Sequence, residues 1–229
     1  MFITPSKNSL VLLVDIFRSP TQCFAALYQK GIWGWQPFIV LLITPFLFWG
    51  AYFDIVDFEW LKSELIATMT IPQDQQALLN SDTLLAGEVL LDVMGRIFAV
   101  LLLGFWFSLA TRQSQYKMGY WKWVAASCVM LFPAVLGDLA SYISLLVNHG
   151  YIVSYAADLN SLNGLIKLSP DHNWYIFTST FPLLLPWYIV LGYAALGAWT
   201  ECDKGQALAI AILPWFLFFA MLVGIAVFN

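Results

Sequence analysis

The chain has 229 residues, of which 61% are hydrophobic, 17% aromatic and only 10% charged, and its mean hydropathy is +0.76. Those values exclude an ordinary soluble globular or disordered protein and place the chain in a bilayer. The net charge of −4 is spread over loops and spans rather than gathered in a tail, and no basic stripe offers a nucleic-acid footprint.

Residues 1–36 read as cytoplasmic amphipathic helices. They lack a charged start followed by a small-residue cleavage site, so no signal peptide is expected. Leu10, Leu13, Val14 and Phe17 share one helical face, and Phe24, Leu27 and Tyr28 another. Ser19 is suited to cap the second helix, with Pro20 in its first turn and Gly31 as its stop. Such helices either cover the bundle or lie on the membrane surface as a binding element.

Residues 37–229 hold five apolar stretches long enough to cross about 30 Å of hydrocarbon, at about 37–55, 89–110, 123–147, 174–199 and 207–228. The fold class is therefore all-α, a polytopic integral membrane protein with five spans. In the first outer connection, Phe58, Leu61, Leu65 and Met69 predict an amphipathic helix ended near Pro72, and Ser81 or Asp82 can cap the second span. The other outer segment, with Asn160, Ser161 and Asn163, is polar enough to sit at the interface.

Lysine and arginine set the orientation. Lys7, Arg18, Lys30, Arg112, Lys117, Lys122 and Lys204 fall on one side, and Lys62 and Lys167 on the other. This bias predicts a cytoplasmic N-terminus and an outer C-terminus. Trp33, Trp35, Trp121, Trp123 and Trp199 would mark the cytoplasmic interface, and Trp60 and Trp174 the outer one. Cys23, Cys128 and Cys202 match no zinc spacing and are expected as free thiols. His149, Asp171 and His172 lack metal-ligand spacing, and neither a cofactor motif nor a catalytic motif is present, so no metal, cofactor or enzymatic activity is expected.

The second span carries Glu88, Asp92 and Arg96 at four-residue intervals, one face of a helix with about 6 Å between levels. Measured from the cytoplasmic ends of their spans at 1.5 Å per residue, Arg96 lies roughly 21 Å deep, Asp138 about 22 Å and Asp54 about 25 Å. Asp138 and Asp92 are thus the expected partners of Arg96, followed by Asp54. The five residues form either a structural staple or the lining of a path for protons, ions or lipid headgroups. Pro45, Pro133, Pro182, Pro186 and Pro214 interrupt four of the five spans and are expected to kink them.

Four stretches, "FRSPTQCFAALYQKGIWGWQPF", "YKMGYWKWVAASCVMLFPAVL", "SLNGLI" and "TECDKGQALAIAILPW", occur in an order that resembles the Yip1 domain family of five-span membrane proteins. The chain has neither the long N-terminal region of the eukaryotic members nor their acidic Gly-Pro signature, so it is similar to a short bacterial form. The resemblance implies a multi-pass protein of the bacterial inner membrane. It also implies a non-enzymatic role in membrane organisation, trafficking-like or lipid-related processes, with membrane lipids or a membrane or cytoplasmic protein as partner. The alternative is a small transporter or channel that uses the Arg96 cluster, with an intramembrane enzyme behind both.

Overall fold

The computed structural model describes residues 4–69, 71–72, 76, 79–113, 118–148 and 150–228. Among these residues the structure is helical, and one isolated antiparallel bridge, between Ser161 and Pro182, is its sole β pairing. Helix α1 (Ser9–Arg18) is capped by Asn8, whose side chain accepts the Val11 N–H at 2.8 Å. Helix α2 (Pro20–Gln29) starts on its proline, where a missing N–H is no loss. Ser19 occupies the cap position without a side-chain capping bond, contrary to expectation. The helix ends before Gly31 as expected, with Lys30 at its C-terminal cap, and Gly31–Gly34 forms a 3₁₀ turn that leads into α3 (Trp35–Ile55).

The connection after α3 forms α4 (Phe58–Thr68), capped by Asp57 and buried through Leu61 and Leu65 as its pattern requires. Helix α5 (Ser81–Ala110) starts earlier than its apolar stretch. Asn80 rather than Ser81 or Asp82 caps it, accepting the Thr83 N–H at 2.8 Å. Pro133 divides the third span into α6 (Tyr120–Leu131) and α7 (Ala134–Val147). After a 3₁₀ turn at Ser154–Ala156 and the short α8 (Asn163–Ile166), the stretch expected as one fourth span is broken into α9 (Tyr175–Thr180) and α10 (Leu185–Trp199). Pro182 lies in the β-bridge between them and Pro186 in the first turn of α10, so neither kinks a continuous helix. The last span is α11 (Lys204–Phe228), with Pro214 inside it.

Among the described residues, four helical segments are long and apolar enough to cross a membrane: Gly31–Ile55, Ser81–Ala110, Tyr120–Val147 and Lys204–Phe228, with Leu185–Trp199 a shorter apolar helix. Large apolar side chains such as Leu91, Phe98, Phe105 and Phe216 are exposed along them, as lipid-facing surfaces require.

The chain forms two compact units. The first comprises Met1–Leu42, Gly95–Pro133 and Leu185–Leu217. Its core stacks Phe107 on Trp123 at 5.2 Å, with Trp123 tilted against Trp199 at 5.0 Å and Phe24 edge-on to Trp199. Trp199 Nε1 donates to the Phe24 carbonyl at 2.8 Å, which ties α2 to α10. Trp123 and Trp199, expected at the interface, are buried at 0% and 3% exposure, whereas Trp35 and Trp121 are exposed. Gly104 lets α5 approach α6 closely: a Cβ there would stand 2.7 Å from a Val124 methyl.

The second unit comprises Ile43–Met94, Ala134–Leu184 and Phe218–Asn229. Phe48, Trp49, Tyr52 and Phe53 of α3 pack with Leu61, Leu65, Val89, Leu145 and Ile152. Tyr52 donates its hydroxyl to the Ile152 carbonyl at 2.7 Å.

Candidate functional site

Asp138 sits just past the Pro133 break, in the early part of α7, and is 5% exposed. The Thr44 hydroxyl donates to Asp138 Oδ2, and Asn160 Nδ2 donates to Oδ1 at 2.5 Å. Both carboxylate oxygens are therefore engaged by neutral donors. One turn further, Ser141 accepts the Leu159 N–H at 2.7 Å and donates to the Gly137 carbonyl at 2.9 Å.

The segment holding Asn160 is clasped from its other side. Leu162 N–H donates to the Phe181 carbonyl at 2.8 Å, and Leu183 N–H to the Asn160 carbonyl at 2.9 Å, across the Ser161–Pro182 bridge. Asn163, fully buried, donates to the carbonyls of Tyr155 and Leu168 and accepts from the Leu168 N–H and the Thr178 hydroxyl. Ser161 and Asn163 are thus buried within the protein. Non-helical backbone is stable in an apolar surrounding only when its polar groups are satisfied in this way.

The other acids of the second unit are placed differently. Glu88 is half-buried and its side chain hydrogen-bonds with Ser154, Asp92 is half-buried on α5, and Asp54 is exposed near the end of α3. Asp171 and His172 are exposed on the loop before α9, and His149 lies outside the described residues.

Arg96 belongs to the first unit, where its Nη1 donates to the Leu41 carbonyl at 2.9 Å. The reason is in the sequence. Leu41 stands four residues before Pro45, which has no N–H, so its carbonyl has no helical donor. The same device recurs on α11: Pro214 leaves the Ile210 carbonyl without its donor, and Trp106 Nε1 of α5 supplies one at 2.9 Å. Arg96 and Trp106 thus lie on one helix and satisfy two proline-freed carbonyls. Depth and charge did not point to either pairing; proline at the fourth position after a carbonyl was the available signal.

Two surface cavities are described, both in the first unit. One, of about 280 Å³, is lined by Phe105, Ser108, Leu109, Thr111, Arg112 and Met118. The other, of about 270 Å³, lies between α1 and α2 and includes Lys7, Asp15 and Arg18. Neither includes Asp54, Glu88, Asp92, Arg96 or Asp138.

With this geometry in place, comparison with known families gave one match, to the Yip1 domain, over residues 14–225. The chain belongs to the Yip1 domain family. No curated protein and no solved structure matched it. Within this Yip1 protein, "SLNGLI" contributes Ser161, Asn163 and Gly164 to the clasp. "TECDKGQALAIAILPW" contributes the Ile210 carbonyl and Pro214. Two of the stretches that carry the family resemblance therefore build the polar supports of the fold.

Proposed function

We propose that this Yip1-family protein is a non-enzymatic component of the bacterial inner membrane. It acts in membrane organisation by engaging lipids, with its N-terminus in the cytoplasm. The carrying observation is that Asp138 is buried with both carboxylate oxygens hydrogen-bonded, in a network that neither described cavity reaches. A buried carboxylate held on both oxygens behaves as a staple that fixes helix and loop positions, and the one buried polar atom left over beside it is Asn160 Oδ1. The membrane-surface helices then become the part of the chain that meets lipid.

The test is Asp138→Asn, which keeps the shape and one acceptor oxygen but removes the charge. A staple tolerates it, so a strain lacking the protein should regain its phenotype with the variant, and the purified variant should stay folded. A variant that folds with an unchanged thermal midpoint but fails in cells overturns the reading in favour of the second one, a transporter. That second reading draws on the breaks at Pro133 and at residues 181–184, which bring irregular backbone beside an intramembrane carboxylate.

A further inference from the structure

Helix α1 has three distinct faces. Leu12 and Ile16 are fully buried in the first unit. Leu10, Val14 and Phe17 point outward, with 74%, 58% and 36% of their surfaces exposed. Between these faces, Val11, Asp15 and Arg18 line the 270 Å³ cavity at the junction with α2. Across that cavity stand Ser6, Lys7 and the first turn of α2, with Ser19 and Gln22.

The charges in this cavity favour an anion. Lys7 and Arg18 are exposed, against the single carboxylate of Asp15, which is buried and already accepts the Ser6 hydroxyl at 2.6 Å. The first turn of α2 contains no acid and lacks a side-chain cap, so its positive end is not neutralised by its own sequence. One net positive charge matches the single negative charge of a phosphodiester. The adjoining outward face of Leu10, Val14 and Phe17 suits acyl chains, which a free phosphate does not have. Nearby in the same unit, Lys122 lies 4.7 Å over the Tyr28 ring and Lys30 4.9 Å over Trp33, which adds fixed positive charge around exposed Ile32 and Trp35.

We propose that the α1–α2 junction is a binding site for an anionic glycerophospholipid. Its phosphate sits between Lys7 and Arg18 at the start of α2, and its acyl chains lie along Leu10, Val14 and Phe17. The site names the ligand class of the lipid-directed function above and rests on that reading for its cellular consequence. Its binding, however, is measured on the purified protein.

The experiment titrates the full-length protein in detergent with phosphatidylglycerol, phosphatidylcholine or inorganic phosphate and follows the thermal midpoint. Phosphatidylglycerol should raise the midpoint at lower concentration than phosphatidylcholine, and added salt should weaken the effect. Each cation near an anionic headgroup contributes about fivefold in affinity, so Lys7→Gln with Arg18→Gln should weaken the response about twenty-fivefold. The control Lys62→Gln with Lys167→Gln should respond as wild type, and the lipid-free midpoint of the Lys7/Arg18 variant should stay near wild type. Val14→Asn should weaken the lipid response and leave any phosphate response unchanged. Equal responses to the two lipids overturn the proposal, as does an undiminished response in the Lys7/Arg18 variant. A full effect from inorganic phosphate alone overturns the lipid assignment in favour of a free-anion site. Failure of Asp138→Asn in cells bears on the proposed function and leaves this binding result standing.

Discussion

At the residue scale, Gly137 shows how tightly the polar clasp is built. A Cβ at this position would collide with the Asn160 amide, the group that donates to Asp138. Gly137→Ala should therefore push Asn160 off the carboxylate and destabilise the purified protein by about 1–3 kcal/mol, the usual range for overpacking. In an Asn160→Ala background the same substitution should be nearly harmless, and a thermal-midpoint double-mutant cycle reads that difference. Equal losses in both backgrounds would mean that Asn160 does not fill this space. The cysteines give a second expectation. Burial first, and then the negative charge of Asp15, push the Cys23 thiol well above its ordinary range, so almost no reactive thiolate exists at neutral pH. Cys202 is only half-buried and should take up maleimide first, while Cys23 stays unlabelled until the protein unfolds. Asp138 was legible in the sequence because a carboxylate at that depth demands partners. Its neutral partners Thr44 and Asn160 were not, because they carry no charge to mark them and lie 94 and 22 residues away along the chain.

At the element scale, hydropathy located the apolar stretches but not the continuity of their helices. The fourth stretch reads as apolar throughout, yet the backbone turns at residues 181–184, because Pro182 can sit in a bridge that asks no N–H of it and Pro186 opens a new helix. Inside α3 and α11 the prolines are absorbed instead, because α5 supplies the missing donors. This account makes a paired prediction. Arg96→Ala leaves the Leu41 carbonyl unsatisfied and should lower stability by about 1.5–3 kcal/mol, the range for a hydrogen bond to a charged group. Adding Pro45→Ala gives that carbonyl a helical N–H, so the double variant should recover part of the loss. Trp106→Phe should lose about 1 kcal/mol, and Pro214→Ala should recover it in the same manner. Denaturation of the four single and two double variants in detergent measures both couplings. Strict additivity in both cycles would show that the α5 donors are not compensating for the prolines.

At the scale of the whole molecule, the question left by the broken fourth stretch is how often the chain crosses the bilayer. Four helical segments are long enough to span, and α10 has 15 residues, about 22 Å of helix against a hydrocarbon core of about 30 Å. Four crossings return the C-terminus to the side of the N-terminus, whereas five separate them. The charge pattern favours five, because Lys204 at the start of α11 then joins Lys7, Arg18, Lys30 and Lys122 on the cytoplasmic side. Positions on either side of α10 decide the matter. Asn173 and Glu201 are both exposed and bracket α9 and α10, while Ser63 on α4 and Gln113 after α5 are exposed reference positions. In a background with all three native cysteines replaced, Ser63→Cys and Asn173→Cys should react with an impermeant maleimide in intact cells. Gln113→Cys and Glu201→Cys should react only after permeabilisation. Labelling of Glu201→Cys together with Asn173→Cys in intact cells would mean that α10 enters and leaves on one face and that the chain crosses four times. Labelling of Gln113→Cys and Glu201→Cys with protection of the other two would keep five crossings but invert the orientation, placing Lys7 and Arg18 at the outer leaflet.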